Sequence, residues 1–249
     1  PEVLQCIHER RERKRKRPQP PLHPPSAKTK LKREKDSQQT PASSSKSKLP
    51  PIGARAVHAA AVVEDMGSGE RSRHTFSGNE KSILQGMNKL VRESDPDIIT
   101  GYNIDNFDMG RIVDRANIIS GNNKSLRAET MGWGRVSSNE QGRRRDALIP
   151  NRGTSRAWNM AGRCVMDAWW QARQALKPQR ETLKFVARLL FPEDEEMQKI
   201  DIDASNMDEE WANRPDEVVE YCLRDAELPL DIMHKIQAFR RKEAVASVA

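Results

Sequence analysis

Apolar residues along this chain recur in two rhythms, one of strands and one of helices. Ile83, Leu84, Met87, Leu90 and Val91 fall at i, i+1, i+4, i+7 and i+8, which predicts a helix with one apolar face. Ser77 and Glu80 have capping-box spacing, so Ser77 is expected to cap that helix and Glu80 to reach back. Upstream, Arg55–Val63 reads as a strand that ends in the Glu64–Gly69 turn, and Arg73–Phe76 reads as its partner. Downstream, Asp95-Pro96 marks a turn, because proline disfavours helix at the residue before it. A short apolar run follows (Ile98, Ile99, then Tyr102), of the length expected for a buried strand. Asn103–Asp108 is polar and turn-prone, and Met109–Ile119 reads as a helix. Asp108 is thus expected just past the C-terminal end of a strand, where ligand-binding residues gather in open α/β sheets. Ordinary capping of a strand-to-helix loop by Asn and Asp accounts for the same pattern.

Residues 120–160 carry no clear rhythm and are rich in Gly, Asn, Ser and Arg, including Arg143–Arg145. Trp133 and Trp158 lie within this basic stretch. They could stack on exposed bases or pin a long loop onto the core. Gly162–Asp167 then reads as a strand, with Asp167 capping a helix that runs through Leu176. A second helix is expected from Thr182 to Leu190, and Phe191–Glu196 as an acidic loop. Pro215 suits the first turn of a further helix, striped by Val218, Val219, Cys222, Leu223 and Ala226. On it, Tyr221 and Asp225 stand at i and i+4 and share a face. The element order is that of an α/β fold.

The first 51 residues break from this texture. Five prolines fall between Pro18 and Pro25, and Ser26–Lys48 holds almost no large apolar side chain. Such a segment cannot bury enough apolar surface to offset the entropy of ordering it, so residues 1–51 are expected to be a disordered basic tail. Residues 1–50 hold 14 Lys/Arg against 5 Asp/Glu, which leaves 29 against 31 of the 43 and 36 in the whole chain. The basic balance therefore belongs to the tail, as a nucleic-acid-contacting or nuclear-targeting arm or as a solvated extension. Cys6, Cys164 and Cys222 form no CxxC pair, which argues against a zinc ribbon or disulfide framework and fits a reducing compartment. No apolar run approaches the ~18 residues of a membrane span, and no signal peptide is visible. The chain begins at Pro1, which suggests a fragment or a processed product.

Two weak signals gain force together. Tyr102-Asn-Ile-Asp-Asn-Phe-Asp108, preceded by Asp95-Pro-Asp-Ile-Ile-Thr-Gly101, and the distant Tyr221-Cys-Leu-Arg-Asp225, followed by Ala-Glu-Leu-Pro229, resemble the 3′–5′ proofreading exonuclease domain of family B DNA polymerases. Gly162-Arg-Cys-Val-Met-Asp167, between them, fits as well. The resemblance spans residues 52–249, expected to form a partial exonuclease domain. It implies an RNase H-like mixed sheet flanked by helices. It also implies metal-binding roles for Asp108 and Asp225, a catalytic role for Tyr221, and contacts from Asn106 and Phe107 to the terminal nucleotide. The implied cofactor is a pair of Mg²⁺ ions, with Mn²⁺ as a substitute, because two metals serve both ends of an in-line phosphodiester displacement. The implied partners are DNA, as a single-stranded 3′ end or primer-template, and the remainder of the polymerase, with no membrane. The implied location is intracellular: the nucleus in a eukaryote, the cytoplasm in a prokaryote.

One part of the pattern is missing. The family's first motif is Asp-x-Glu on the opening strand, and residues 1–51 contain none. The polymerase palm signatures are absent too. The expectation is a polymerase fragment carrying most of the exonuclease domain, weak or inactive when isolated because each lost carboxylate removes a ligand and a compensating charge. The alternative is a non-catalytic nucleic-acid-binding module with a degenerate exonuclease fold.

Overall fold

The continuous run Ala59-Ala-Ala-Val-Val63 is explained by burial on both faces. In the computed structural model, which describes residues 2–4, 56–135, 148–152, 157–194, 202 and 206–246, these residues lie in a long central strand. The elements are β1 (Glu2–Leu4), β2 (His58–Asp65), β3 (Arg71–Ser77), α1 (Glu80–Ser94), β4 (Ile98–Gly101), α2 (Asp108–Ser120), α3 (Lys124–Met131), β5 (Asn151–Arg152), β6 (Trp158–Asn159), β7 (Cys164–Asp167), α4 (Ala168–Leu176), α5 (Leu183–Leu190), α6 (Met207–Asn213), α7 (Pro215–Lys235) and α8 (Ala238–Ala246). Five strands form one mixed sheet in the order β3-β2-β1-β4-β7, and β5-β6 is a separate two-stranded ribbon. β1 is antiparallel to β2 and parallel to β4, and β7 is parallel to β4. This is the RNase H-like mixed sheet flanked by helices that the resemblance implies.

Alternation along β2 feeds two cores. Ala59, Ala61 and Val63 pack with Ile83, Leu84, Met87 and Val91 of α1, and with Ile104, Met109 and Ile112 of the β4–α2 region. On the other face, Ala60 meets Val218, Cys222 and Leu223 of α7, and Val62 meets Ala226 and Leu230. Period-2 alternation in the strand thus meets helical stripes on both sides. Strand β3 is an edge and largely exposed, so its arginines reach across to α7. Arg73 forks onto Glu227 at 2.7 and 2.8 Å, and Arg71 bridges Glu64 at 2.8 Å and Asp231 at 2.7 Å.

Several local expectations change. Glu2–Leu4 was placed in the disordered tail, yet it pairs between β2 and β4, so that expectation does not extend to these three residues. The rest of the tail, and Arg143–Arg145, lie outside the described residues. Asn79, not Ser77, caps α1, its side chain accepting from the Ser82 N–H at 2.9 Å. Ser77 is the last residue of β3, which holds its backbone in the ladder. Glu80 does not reach back to a cap. It forms a bidentate pair with Arg115 of α2 at 2.7 and 2.5 Å and accepts the Ala56 N–H at 2.9 Å. Residues 124–131, in the stretch without rhythm, form α3, capped by Asn123 accepting from the Leu126 N–H. Trp133 is 1% exposed, which settles its role as a core pin. Among the described residues, no helix is long and apolar enough to cross a membrane.

The Glu80–Arg115 side chains are each only 9% exposed. Truncating one partner of such a pair leaves the other charge buried and unmatched. Arg115→Ala is expected to lower the unfolding free energy by about 3 kcal/mol in a urea titration. A loss below about 1 kcal/mol would place the pair with solvent-screened surface bridges instead.

Candidate active site

The Asp95–Asp108 stretch is held at both ends. Asp95, the C-cap of α1, has φ 45°, and its carboxylate takes Arg135 at 2.8 Å and Arg163 at 2.9 Å. Arg135 also reaches Asp97 at 2.6 Å. β4 then runs to Gly101, where a Cβ would come within 2.9 Å of the Ile104 side chain, so the chain can fold back tightly here only with glycine. Asn103 follows at φ 67°, a left-handed conformation that Asn tolerates. Its backbone carbonyl accepts the N–H groups of Asn106 and Phe107, and its side-chain oxygen accepts the Asn106 amide at 2.8 Å. The turn delivers Asp108 as the first residue of α2, buried at 8% exposure. Asn106 and Phe107 are half-buried beside it.

Asp167 anchors this turn from the neighbouring strand. At the C-terminal end of β7 it accepts the Asn103 N–H at 2.8 Å, the Asp105 N–H at 3.3 Å and the Trp169 N–H at 2.9 Å. It therefore caps α4, as its position suggested, and also holds the loop between β4 and α2. Burial pushes its carboxyl up to about 6; the Asn103 and Trp169 amides oppose that shift and the charge of nearby Asp105 adds to it. Asp105 is clamped from the other side by the β5–β6 ribbon. Its carbonyl accepts the Trp158 indole N–H at 2.9 Å and an Arg152 guanidinium N–H, while Arg152 lies 5.5 Å over the Trp158 ring. Burial raises the Asp105 carboxyl as well. The sequence marked Asp167 as a cap and as the end of a matching stretch but gave it no role at the site, and it did not single out Asp105 or Arg152. Trp158 pins the loop, the second of the two roles open to it.

Tyr221 and Asp225 sit one turn apart on α7, with the Tyr221 hydroxyl bonded to the Asp225 carboxylate. Burial pushes Asp225 up to about 6, opposed by that hydrogen bond. Burial, then the Asp225 charge, raises the Tyr221 hydroxyl well above its ordinary value, so it remains a donor at neutral pH. Burial pushes the neighbouring Cys222 thiol up to about 12. Ala226, next in the chain, packs in the same cluster as Tyr102. The Tyr102 hydroxyl donates to the Glu181 carbonyl at 2.8 Å, tying the segment before α5 to the start of the turn.

The structure thus brings Tyr221 and Asp225 into contact and groups Asn106, Phe107 and Asp108 on one turn. Among the described residues, no group of three or more His, Cys, Asp or Glu side chains is gathered to hold a metal ion. The described part of the opening strand, Glu2-Val-Leu4, does not carry Asp-x-Glu. The described residues alone therefore do not fit a two-Mg²⁺ centre, which needs oxygen ligands for both ions.

The chain matches the family model described as DNA polymerase family B, exonuclease domain, over residues 60–186, a little more than half its length. It is 32% identical over 169 residues to the DNA polymerase delta catalytic subunit of Caenorhabditis elegans, an alignment covering 64% of this chain and 14% of that protein. The Bos taurus subunit is 29% identical over 171 residues, covering 68% of this chain and 15% of the relative. The chain thus spans about one-seventh of the length of these relatives. The structure of the family B DNA polymerase from the archaeon Pyrobaculum calidifontis shares the fold, with TM-score 0.54 and 21% identity over 78% of this chain and 23% of that one. With the family model, the relatives and the fold in agreement, this chain belongs to the DNA polymerase family B exonuclease domain family.

Proposed function

We propose that this chain is the 3′–5′ exonuclease portion of a family B DNA polymerase, built to receive the 3′ end of a DNA strand for proofreading during replication. Its partners are single-stranded 3′ ends of a primer-template and the remainder of the polymerase. The observation that carries the reading is the Tyr221–Asp225 hydrogen bond, on a helix that packs against the strand preceding the Asp108 turn. In this reading Phe107 and Asn106 contact the terminal nucleotide, while Asp108 and Asp225 present carboxylates to the scissile phosphate region. Tyr221 holds one carboxylate in place and keeps its proton at neutral pH. Mg²⁺, with Mn²⁺ as a substitute, would supply charge stabilisation at the phosphate when bound. Asp108 and Asp225 are its ligands in this reading. Because the described residues do not complete such a centre, no hydrolytic step is assigned to this chain alone.

A second reading is favoured by that same deficit: a nucleic-acid-binding module that keeps the fold without the chemistry. The two diverge in a nuclease assay on the 249-residue chain, using a 3′-labelled single strand with Mg²⁺ or Mn²⁺. The expected result is binding with weak or no digestion, and robust digestion abolished by Asp225→Ala would eliminate the module. In an intact polymerase carrying this segment, Asp108→Ala should abolish trimming of a mismatched primer terminus. Unchanged trimming would sink the site assignment.

The raised Asp225 carboxyl also has a consequence for stability. Its folded-state value, about 6, lies above the ordinary 3.8, so the native chain binds this proton more tightly than the unfolded one. Ionised Asp225 therefore destabilises the fold; the penalty is full above pH 6 and disappears below pH 4. Asp225→Asn should stabilise the chain at neutral pH by about 1–3 kcal/mol, seen as a higher Tm. The difference should close on acidification through that window, and a Tm gap independent of pH would show that burial is not the cause.

A further inference from the structure

Helix α4 opens with two adjacent tryptophans, Trp169 and Trp170, whose ring centroids are 4.7 Å apart at an interplanar angle of 59°. The Arg173 guanidinium lies 5.3 Å from one ring and 5.5 Å from the other. Both rings are half-buried and Arg173 is exposed, so the aromatic faces are not sealed in the core as Trp133 is. The surroundings are basic. Residues 168–190 carry Arg173, Lys177, Arg180, Lys184 and Arg188, all exposed, against the single carboxylate Glu181. Residues 51–249 as a whole hold 29 Lys/Arg against 31 Asp/Glu, so this is a local concentration of cations on a slightly acidic unit. The patch is fastened to the candidate site at two points: Asp167 caps α4 while holding the Asn103–Asp105 backbone, and Tyr102 bonds the Glu181 carbonyl.

We propose that the α4–α5 face is a single-stranded DNA track, in which an unpaired base stacks on the Trp169–Trp170 pair and the surrounding cations follow the phosphates. Stacked aromatics among cations suit single strands because every base offers a π-face once unpaired, whereas a duplex hides its faces. Arg173 already covers the rings and pairs with Glu181 at 3.2 Å. A solvent-screened pair of this kind is worth little, so the guanidinium can remain over the aromatic face or exchange that carboxylate for a phosphate. The inference rests on the proposed reading for its choice of DNA and goes beyond it by naming a path away from the 3′ end.

The test uses the whole 249-residue chain with a chelator present and fluorescein-labelled oligothymidylate as the probe. Binding is followed by probe anisotropy and by tryptophan emission. The expected result is quenching of tryptophan emission on binding. In Trp169→Leu/Trp170→Leu the quenching should disappear and affinity fall at least about fivefold, the low end for loss of one stacked base. Lys177→Gln/Arg180→Gln should flatten the dependence of log affinity on log salt by about 1.4, two phosphate contacts on a single strand. Substituting Arg15 and Arg17 with Gln should leave the quenching intact, which separates any contribution of the basic N-terminal segment. Quenching and affinity unchanged in a folded double-Leu variant would overturn the proposal. So would equal quenching by a duplex, or quenching by polyglutamate, which would point to an acidic protein partner instead. Should the double-Leu variant fail to fold by circular dichroism, an unchanged salt slope in the Lys177/Arg180 variant overturns the proposal by itself. A chain that binds with quenching but never cuts leaves this inference standing while the catalytic reading falls. Asp225-dependent cutting without quenching does the reverse.

Discussion

The candidate site depends on one buried carboxylate receiving backbone N–H groups from two separate parts of the chain. Asp167 is 3% exposed, and it is tolerable there because Asn103, Asp105 and Trp169 all donate to it. An anion in that position without such donors would cost several kcal/mol or give up its charge. The three bonds lock the end of β7, the start of α4 and the β4–α2 turn into one geometry. The Arg152–Trp158 clamp on the Asp105 carbonyl closes the turn from its remaining side. Asn106, Phe107 and Asp108 thus emerge from a turn whose backbone has little freedom left, which is the preorganisation a binding site requires.

The sheet supplies the frame for this lock. β2, buried on both faces, brings α1 and α7 onto opposite sides, and the parallel β4–β7 pair places Gly101 opposite Asp167 in register. Electrostatics follows the same layout. Arginines on the edge strand β3 and on the loops bind carboxylates of α7 and of the Asp95 turn. Asp167 and Asp225 are both pushed up to about 6, chiefly by burial and against the hydrogen bonds they accept.

Much of this was legible in the residues. Stripes at helical spacing located α1 and α7, and Asp167 was recognisable as the cap of α4, whereas Thr182, expected as the first residue of α5, is its cap. Tyr221 and Asp225 were readable as one face because i and i+4 meet on any helix. The Ser77 cap was misjudged because Gly78, at φ 105°, lets β3 run one residue further and passes the cap to Asn79. Helix α3 was missed because only Thr130 and Met131 are buried in it, too few for a stripe.

What the sequence determined by itself was local: periodicity, caps, and the pairing of motifs that marks the family, since these need only neighbouring residues and their order. The tertiary structure alone decided that Glu2–Leu4 completes the sheet. Three residues followed by a polar basic run give no periodic signal, and their place depends on β2 and β4 offering unpaired edges. It also decided that Asp167 holds a turn more than sixty residues away and that Glu80 pairs with Arg115 rather than with its own cap. Such long-range partners are chosen by burial, because a charged or backbone polar group that leaves water binds whichever matching group the fold brings within reach.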